Sequence, residues 1–153
     1  MPRVSNFEII QRGEQLILSI RKRTPIHNIS AVIGEAYEKM SVYLKGIDMY
    51  PSDAPFVTYH NMDMQDLDIE MCFPVCKLLE GNEEIKSNAV PAGKFVFCIY
   101  RGPYTEIEAT YTEMSKWIED NGLKTTDIAY ECYYNGPEFP QNEALTMILM
   151  PIE

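Results

Sequence analysis

Hydrophobic and polar positions alternate along several stretches of this chain and recur at helical spacing in two others. Leu67, Ile69, Met71 and Phe73 alternate with Asp66, Asp68, Glu70 and Cys72. That period of two predicts a strand over 66–75 with one buried and one wet face. Residues 15–21 alternate likewise, 93–101 read as an apolar strand, 56–59 as a short one, and 128–135 and 144–152 as the last strands. Short strands over 7–11 and 85–91 lead into the first and second halves. Ile29, Val32, Ile33, Ala36, Tyr37, Met40 and Leu44 form the stripe of one helix, with Asn28 as N-cap. Ile107, Tyr111, Met114 and Ile118 form the stripe of another. Thr105-Glu106-Ile107-Glu108 reads as a capping box at its start, and Asn121-Gly122 as its stop.

The pattern repeats. Residues 33–61 lie over 107–135 at a constant offset of 74 without a gap. Seven pairs are identical: Ile33/Ile107, Tyr37/Tyr111, Met40/Met114, Ser41/Ser115, Asp53/Asp127, Tyr59/Tyr133 and Asn61/Asn135. Fixed-offset similarity marks a duplicated supersecondary unit. The expectation is one α+β domain over 1–153, built from two strand–helix–strand–strand repeats at about 7–76 and 85–153. The modules would join as one antiparallel sheet with both helices on one face and a groove between them. Within the match, Val57 stands opposite Glu131.

Composition narrows the function classes. The net charge of −10 disfavours nucleic-acid binding, which relies on Lys and Arg to neutralise phosphates. It suits cationic ligands or basic protein surfaces. No apolar run is long enough for a membrane span, and the N-terminus lacks a signal-peptide core. A cytoplasmic protein with free buried thiols at Cys72, Cys76, Cys98 and Cys132 is expected. The two histidines, His27 and His60, are far apart and no ligand spacing suits zinc. Neither a phosphate loop nor a nucleotide fingerprint is visible, so no metal or other cofactor is expected.

Glu131 is the candidate chemical group. Alternation puts it on the same strand face as Tyr133, opposite Tyr130, Cys132 and Tyr134. A carboxylate under a helix loses hydration and its pKa rises unless partners compensate. Such a group suits cation binding or acid–base work; a strand-end glutamate reaching solvent, or pairing with a lysine, would do neither. Tyr37, Tyr43, Tyr59, Tyr104, Tyr111, Tyr133 and Phe139 fall in or beside the helices and strands that would form the groove. Aromatic faces attract cations, although a tyrosine on a helix stripe, such as Tyr111, is ordinarily a core residue. Tyr104 differs, following Gly102-Pro103 at a strand-to-helix turn. Methionines such as Met71 and Met147 suit an adaptable pocket and also serve as core filler.

Several pieces together resemble the GyrI-like small-molecule-binding domains, also found as effector-binding halves of AraC-type and MerR-type regulators. They are Tyr100-Arg101-Gly102-Pro103-Tyr104, Trp117, Tyr130-Glu131-Cys132-Tyr133 with Asn135-Gly136-Pro137, and the closing Met150-Pro151-Ile152. The resemblance covers nearly the whole chain and implies a stand-alone member, because no DNA-binding segment is visible. It implies an aromatic groove with a central glutamate for cationic or polar lipophilic ligands. Glu131, Tyr104, Tyr133, Tyr37, Tyr59, Met71 and Phe139 are the ligand-binding candidates. Two alternatives accompany it. One is a hydrolase opening cyclopropane-bearing toxins, with Glu131 and Tyr104 catalytic. The other is an acidic protein inhibitor of DNA gyrase, which would need a protein partner.

Overall fold

A computed structural model describes residues 3–136 and 138–153; Met1, Pro2 and Pro137 lie outside them. In chain order the elements are β1 (Glu8–Arg12), β2 (Gln15–Thr24), α1 (Ile29–Gly46), β3 (Phe56–Tyr59), β4 (Leu67–Pro74) and β5 (Lys86–Val90). Then come β6 (Gly93–Arg101), α2 (Glu108–Asp120), β7 (Ala129–Tyr133) and β8 (Leu145–Ile152). The fold is α+β, with antiparallel strand pairing and a strand–helix–strand–strand plan used twice. No helix of the described residues is long and apolar enough to cross a membrane.

The chain divides into two compact units. Gly13–Ala92 forms one, the valine-bearing unit; Met1–Arg12 with Gly93–Glu153 forms the other, the glutamate-bearing unit. Their boundaries differ from the sequence halves at the leading strands. β1 pairs with β6, not with β2, and β5 pairs with β2, not with β6. Each leading strand therefore belongs to the other unit from the one whose chain it precedes. β1 carries little apolar pattern and β5 only a partial one, so neither strand's sequence specifies its neighbour.

In the valine-bearing unit the strand order is β3-β4-β2-β5. α1 covers the face that carries Leu67, Ile69, Met71 and Phe73, and Tyr37 stacks on Phe73 with ring centroids 5.2 Å apart. Ala36, Met40 and Leu44 are the buried stripe of the helix. Val57 pairs with Met71 across β3 and β4, and both are fully buried. The opposite face of β4 is not wet as the alternation implies: Asp68 and Glu70 are each 8 % exposed. Polar neighbours cover them. Arg21 grips Asp68 through two hydrogen bonds of 2.9 and 2.7 Å, and His60 Nε2 lies 2.9 Å from Glu70. The Arg21 bond holds the Asp68 carboxyl below its ordinary pKa.

In the glutamate-bearing unit the order is β1-β6-β8-β7. Thr110, Met114 and Ile118 form the buried stripe of α2 and correspond by the offset to Ala36, Met40 and Leu44. Burying each large apolar side chain contributes about 1.5–3 kcal/mol. Cys72, Cys98 and Cys132 are buried and outside any disulfide; Cys76, expected to be buried, is exposed just beyond β4.

Both helices start differently from expectation. Asn28 does occupy the N-cap of α1, yet its side chain makes no capping bond. The box at 105–108 does not form: α2 begins at Glu108 behind Ile107, again without a side-chain cap. A 3-10 turn precedes each helix, Ile26–Asn28 and Tyr104–Glu106. In the second, the Glu106 and Ile107 N–H groups donate to Pro103 and Tyr104 carbonyls. Donors that a capping side chain would serve are thus met by the turn itself.

Candidate ligand-binding site

The site is built on one face of β6, β8 and β7. Residues directly opposite in register share a face, giving a row of Tyr100, Thr146 and Tyr133 and, below it, a row of Cys98, Ile148 and Glu131. α2 covers this face: the Tyr111 hydroxyl donates to Glu131 Oε2. The Tyr133 hydroxyl, two residues along β7, donates to Glu131 Oε1 at 2.9 Å. Glu131 is 6 % exposed. Burial pushes its pKa up, while the Tyr111 and Tyr133 bonds oppose the shift. Among the described residues no cation is paired with it.

Tyr104 stands at the accessible edge of this group. It is 46 % exposed, and its ring meets Tyr133 edge-on at 5.2 Å and 79°. Local backbone chemistry fixes its place. Gly102 has φ +138, and a Cβ there would lie 3.0 Å from the Tyr100 hydroxyl oxygen. That hydroxyl donates to the Pro103 carbonyl at 2.6 Å, while the Gly102 N–H donates to Ala144. Only glycine takes this backbone conformation freely, so Gly102 and Tyr100 together aim the turn that carries Tyr104. Burial and the charge of Glu131 raise the Tyr104 pKa, and the Thr146 hydroxyl lowers it.

The structure therefore gathers Glu131, Tyr104 and Tyr133, all anticipated, into one group. Phe139 stands apart on the exposed turn after β7. Tyr37, Tyr59 and Met71 belong to the valine-bearing unit, where Tyr59 is 9 % exposed and Met71 has no exposed surface. Tyr111, read from its helix stripe as a core residue, instead bonds the carboxylate. Its signal is positional: it lies one residue off the buried stripe of Thr110, Met114 and Ile118. Thr110 and Thr146 were not anticipated at all. Both are buried, and no hydrogen bond of ordinary geometry reaches either hydroxyl.

A half-exposed aromatic edge beside a buried, hydrogen-bonded carboxylate is a candidate small-molecule site with one polar anchor. The sequence matches the GyrI-like small molecule binding domain over residues 5–153, and the chain belongs to that family. Among curated proteins none matches it. Solved structures share the fold. The chain is similar to EcmrR in its DNA complex, with TM-score 0.81 and 23 % identity, covering 97 % of this chain and 57 % of that longer one. The isolated EcmrR C-terminal domain gives TM-score 0.76 and 22 % identity over 98 % of both chains. A structure described as a hydrolase from Listeria innocua gives 0.73 and 16 %, covering 96 % of this chain and 91 % of the other. SAV2435 bound to tetraphenylphosphonium gives 0.67 and 10 %, covering 97 % and 94 %.

Proposed function

We propose that this protein binds lipophilic small molecules carrying a positive charge, with Glu131 as the group that meets the charge. One observation carries the reading: a buried carboxylate held only by two neutral hydroxyls, with no cation beside it among the described residues. Ionised, such a group lacks the compensation that buried charges normally have. An incoming cation supplies it, and the faces of Tyr104 and Tyr133 add cation–π attraction. Likeness in fold to a protein solved with tetraphenylphosphonium supports the ligand class.

The test compares two ions of one shape and opposite charge, tetraphenylphosphonium and tetraphenylborate, by calorimetry. The wild type is expected to take the phosphonium and refuse the borate. Glu131→Gln should weaken the phosphonium by an amount on the order of 3–5 kcal/mol, as for a buried pair losing one partner. Unchanged phosphonium affinity in that variant would sink the reading.

A second reading, hydrolysis of strained electrophiles, draws on the nearness of Tyr104 to a carboxyl that keeps its proton to higher pH than usual. Glu131 would take a proton from water as its oxygen attacks a cyclopropane carbon. The ring bond breaks, and its electrons take a proton back at the leaving carbon or at a conjugated oxygen near Tyr104. Wild type, Glu131→Gln and Tyr104→Phe incubated with cyclopropane-bearing alkylating natural products, followed by mass spectrometry, decide it. Equal turnover in wild type and Glu131→Gln would exclude this chemistry.

A further inference from the structure

The two units differ at more than the valine–glutamate position. Tyr59 pairs with Ile69 in one, and Tyr133 pairs with Thr146 in the other. Thr146 thus takes the place of an isoleucine that is fully buried in the twin. Thr146 is itself completely buried, and its hydroxyl has no hydrogen bond of ordinary geometry. A hydroxyl placed where an apolar side chain would pack, and left unpaired, is destabilising unless it serves something nearby.

The neighbours identify what it serves. Thr146 lies beside Tyr133 across the strand pair, and Tyr104 rests edge-on against the same Tyr133. Thr146 has no surface that a ligand could reach, whereas Tyr104 is half-exposed. We propose that Thr146 is a positioning residue for Tyr104: its buried hydroxyl, beside Tyr133 on the neighbouring strand, sets where Tyr133 and the Tyr104 ring that rests on it stand relative to Glu131. Thr146 touches no ligand and acts through Tyr104. The influence of the Thr146 hydroxyl on Tyr104 ionisation is in the same sense, favouring the phenolate. The row also explains the anchoring on the far side, where Tyr100, opposite Thr146 on β6, holds the Pro103 carbonyl one residue before Tyr104. The backbone before Tyr104 is held by Tyr100, and its ring rests on Tyr133, the strand neighbour of Thr146. That Tyr104 meets a ligand rests on the proposed function; its coupling to Thr146 does not.

The experiment reads that coupling without any ligand, so it stands or falls separately from cation binding. 3-Fluorotyrosine is installed at position 104 alone, where fluorine makes the phenol more acidic, and its 19F resonance is titrated in the full chain. Thr146→Val removes the hydroxyl at nearly constant shape, and Thr146→Ser restores it; Thr146→Ala substitutes if valine disturbs folding. Loss of the hydroxyl should move the midpoint up by about half to one pH unit. Serine should return it to the wild-type value. An unmoved midpoint in Thr146→Val or Thr146→Ala, or a serine variant that behaves like valine, overturns the proposal.

Discussion

At the scale of the residue, Glu131 sets two pH dependences of opposite sign. Its folded pKa is raised by burial. Below its unfolded pKa of about 4.3 the group is neutral in both states and costs nothing in differential ionisation. As pH rises from there through the folded pKa, the unfolded chain ionises first and native stability falls. Glu131→Gln should therefore be more stable than wild type at pH 8, with the gap closing toward pH 4.5, as measured by urea denaturation. A gap independent of pH would show that the carboxyl is not strained by burial. Binding of a lipophilic cation should run the other way, strengthening as the carboxylate forms and releasing a proton over the same interval. Calorimetry in buffers of different ionisation enthalpy reads that proton. The central residue was legible because the repeat exposes Glu131 against Val57. Thr146 was not, because the constant offset ends at Asn61/Asn135. Beyond it the β7–β8 connection is longer, and Ile69 and Thr146 stand 77 apart. Only strand register aligns them.

At the scale of the element, the duplication reaches the helix ends, where sequence reading saw one stop and missed its twin. The Leu123 N–H donates to the Ile118 carbonyl at 3.0 Å, and the Met49 N–H to the Leu44 carbonyl at 2.9 Å. Each closure needs a residue at positive φ. In α2 it is Gly122 at φ 68; in α1 it is Asp48 at φ 56. A left-handed conformation costs an L-residue roughly 1–2 kcal/mol, with Asp among the more tolerant. A negative charge at a helix C-terminus also opposes the macrodipole. Asp48→Gly should stabilise the protein by about 0.5–1 kcal/mol after allowing for the freer unfolded glycine. Gly122→Asp should destabilise it by a similar amount. Paired urea denaturation curves check both, and a loss of stability in Asp48→Gly would show that the aspartate side chain contributes something the backbone geometry does not reveal. Strand positions were legible in side-chain chemistry: apolar residues alternate with polar ones along β4, although both kinds are buried, and β6 is largely apolar. Helix starts were not, because a 3-10 turn satisfies the first donors through backbone groups that leave no mark in side-chain identity.

At the scale of the whole molecule, one scaffold is used twice and its chemistry once. The exchanged leading strands show that the two halves of the sequence are not the two units of the structure, since the chain passes from one unit to the other at Arg12–Gly13 and again at Ala92–Gly93. What distinguishes the units is their polarity under the helix. Glu131, Thr146 and Thr110 stand where the valine-bearing unit has Val57, Ile69 and Ala36, all three buried. The tyrosines, by contrast, are kept: Tyr37 and Tyr59 answer Tyr111 and Tyr133. If the carboxylate is a specialisation of one unit, its twin position should reject the same group. Val57 has no exposed surface and faces Met71, which has none either. Tyr37 is stacked on Phe73. Val57→Glu should then bury a carboxylate without a cation and destabilise the protein on the order of 3–5 kcal/mol at neutral pH. The loss should be smaller at pH 5, because the charged form carries most of the cost and the introduced group takes up its proton as pH falls. Glu131→Val should have the opposite sign at pH 8, gaining stability while abolishing cation binding. Urea denaturation at pH 5 and pH 8 measures both. A Val57→Glu protein as stable as wild type at pH 8 would mean that Tyr37 and Tyr59 receive the carboxylate as Tyr111 and Tyr133 do, and that the two units are chemically interchangeable.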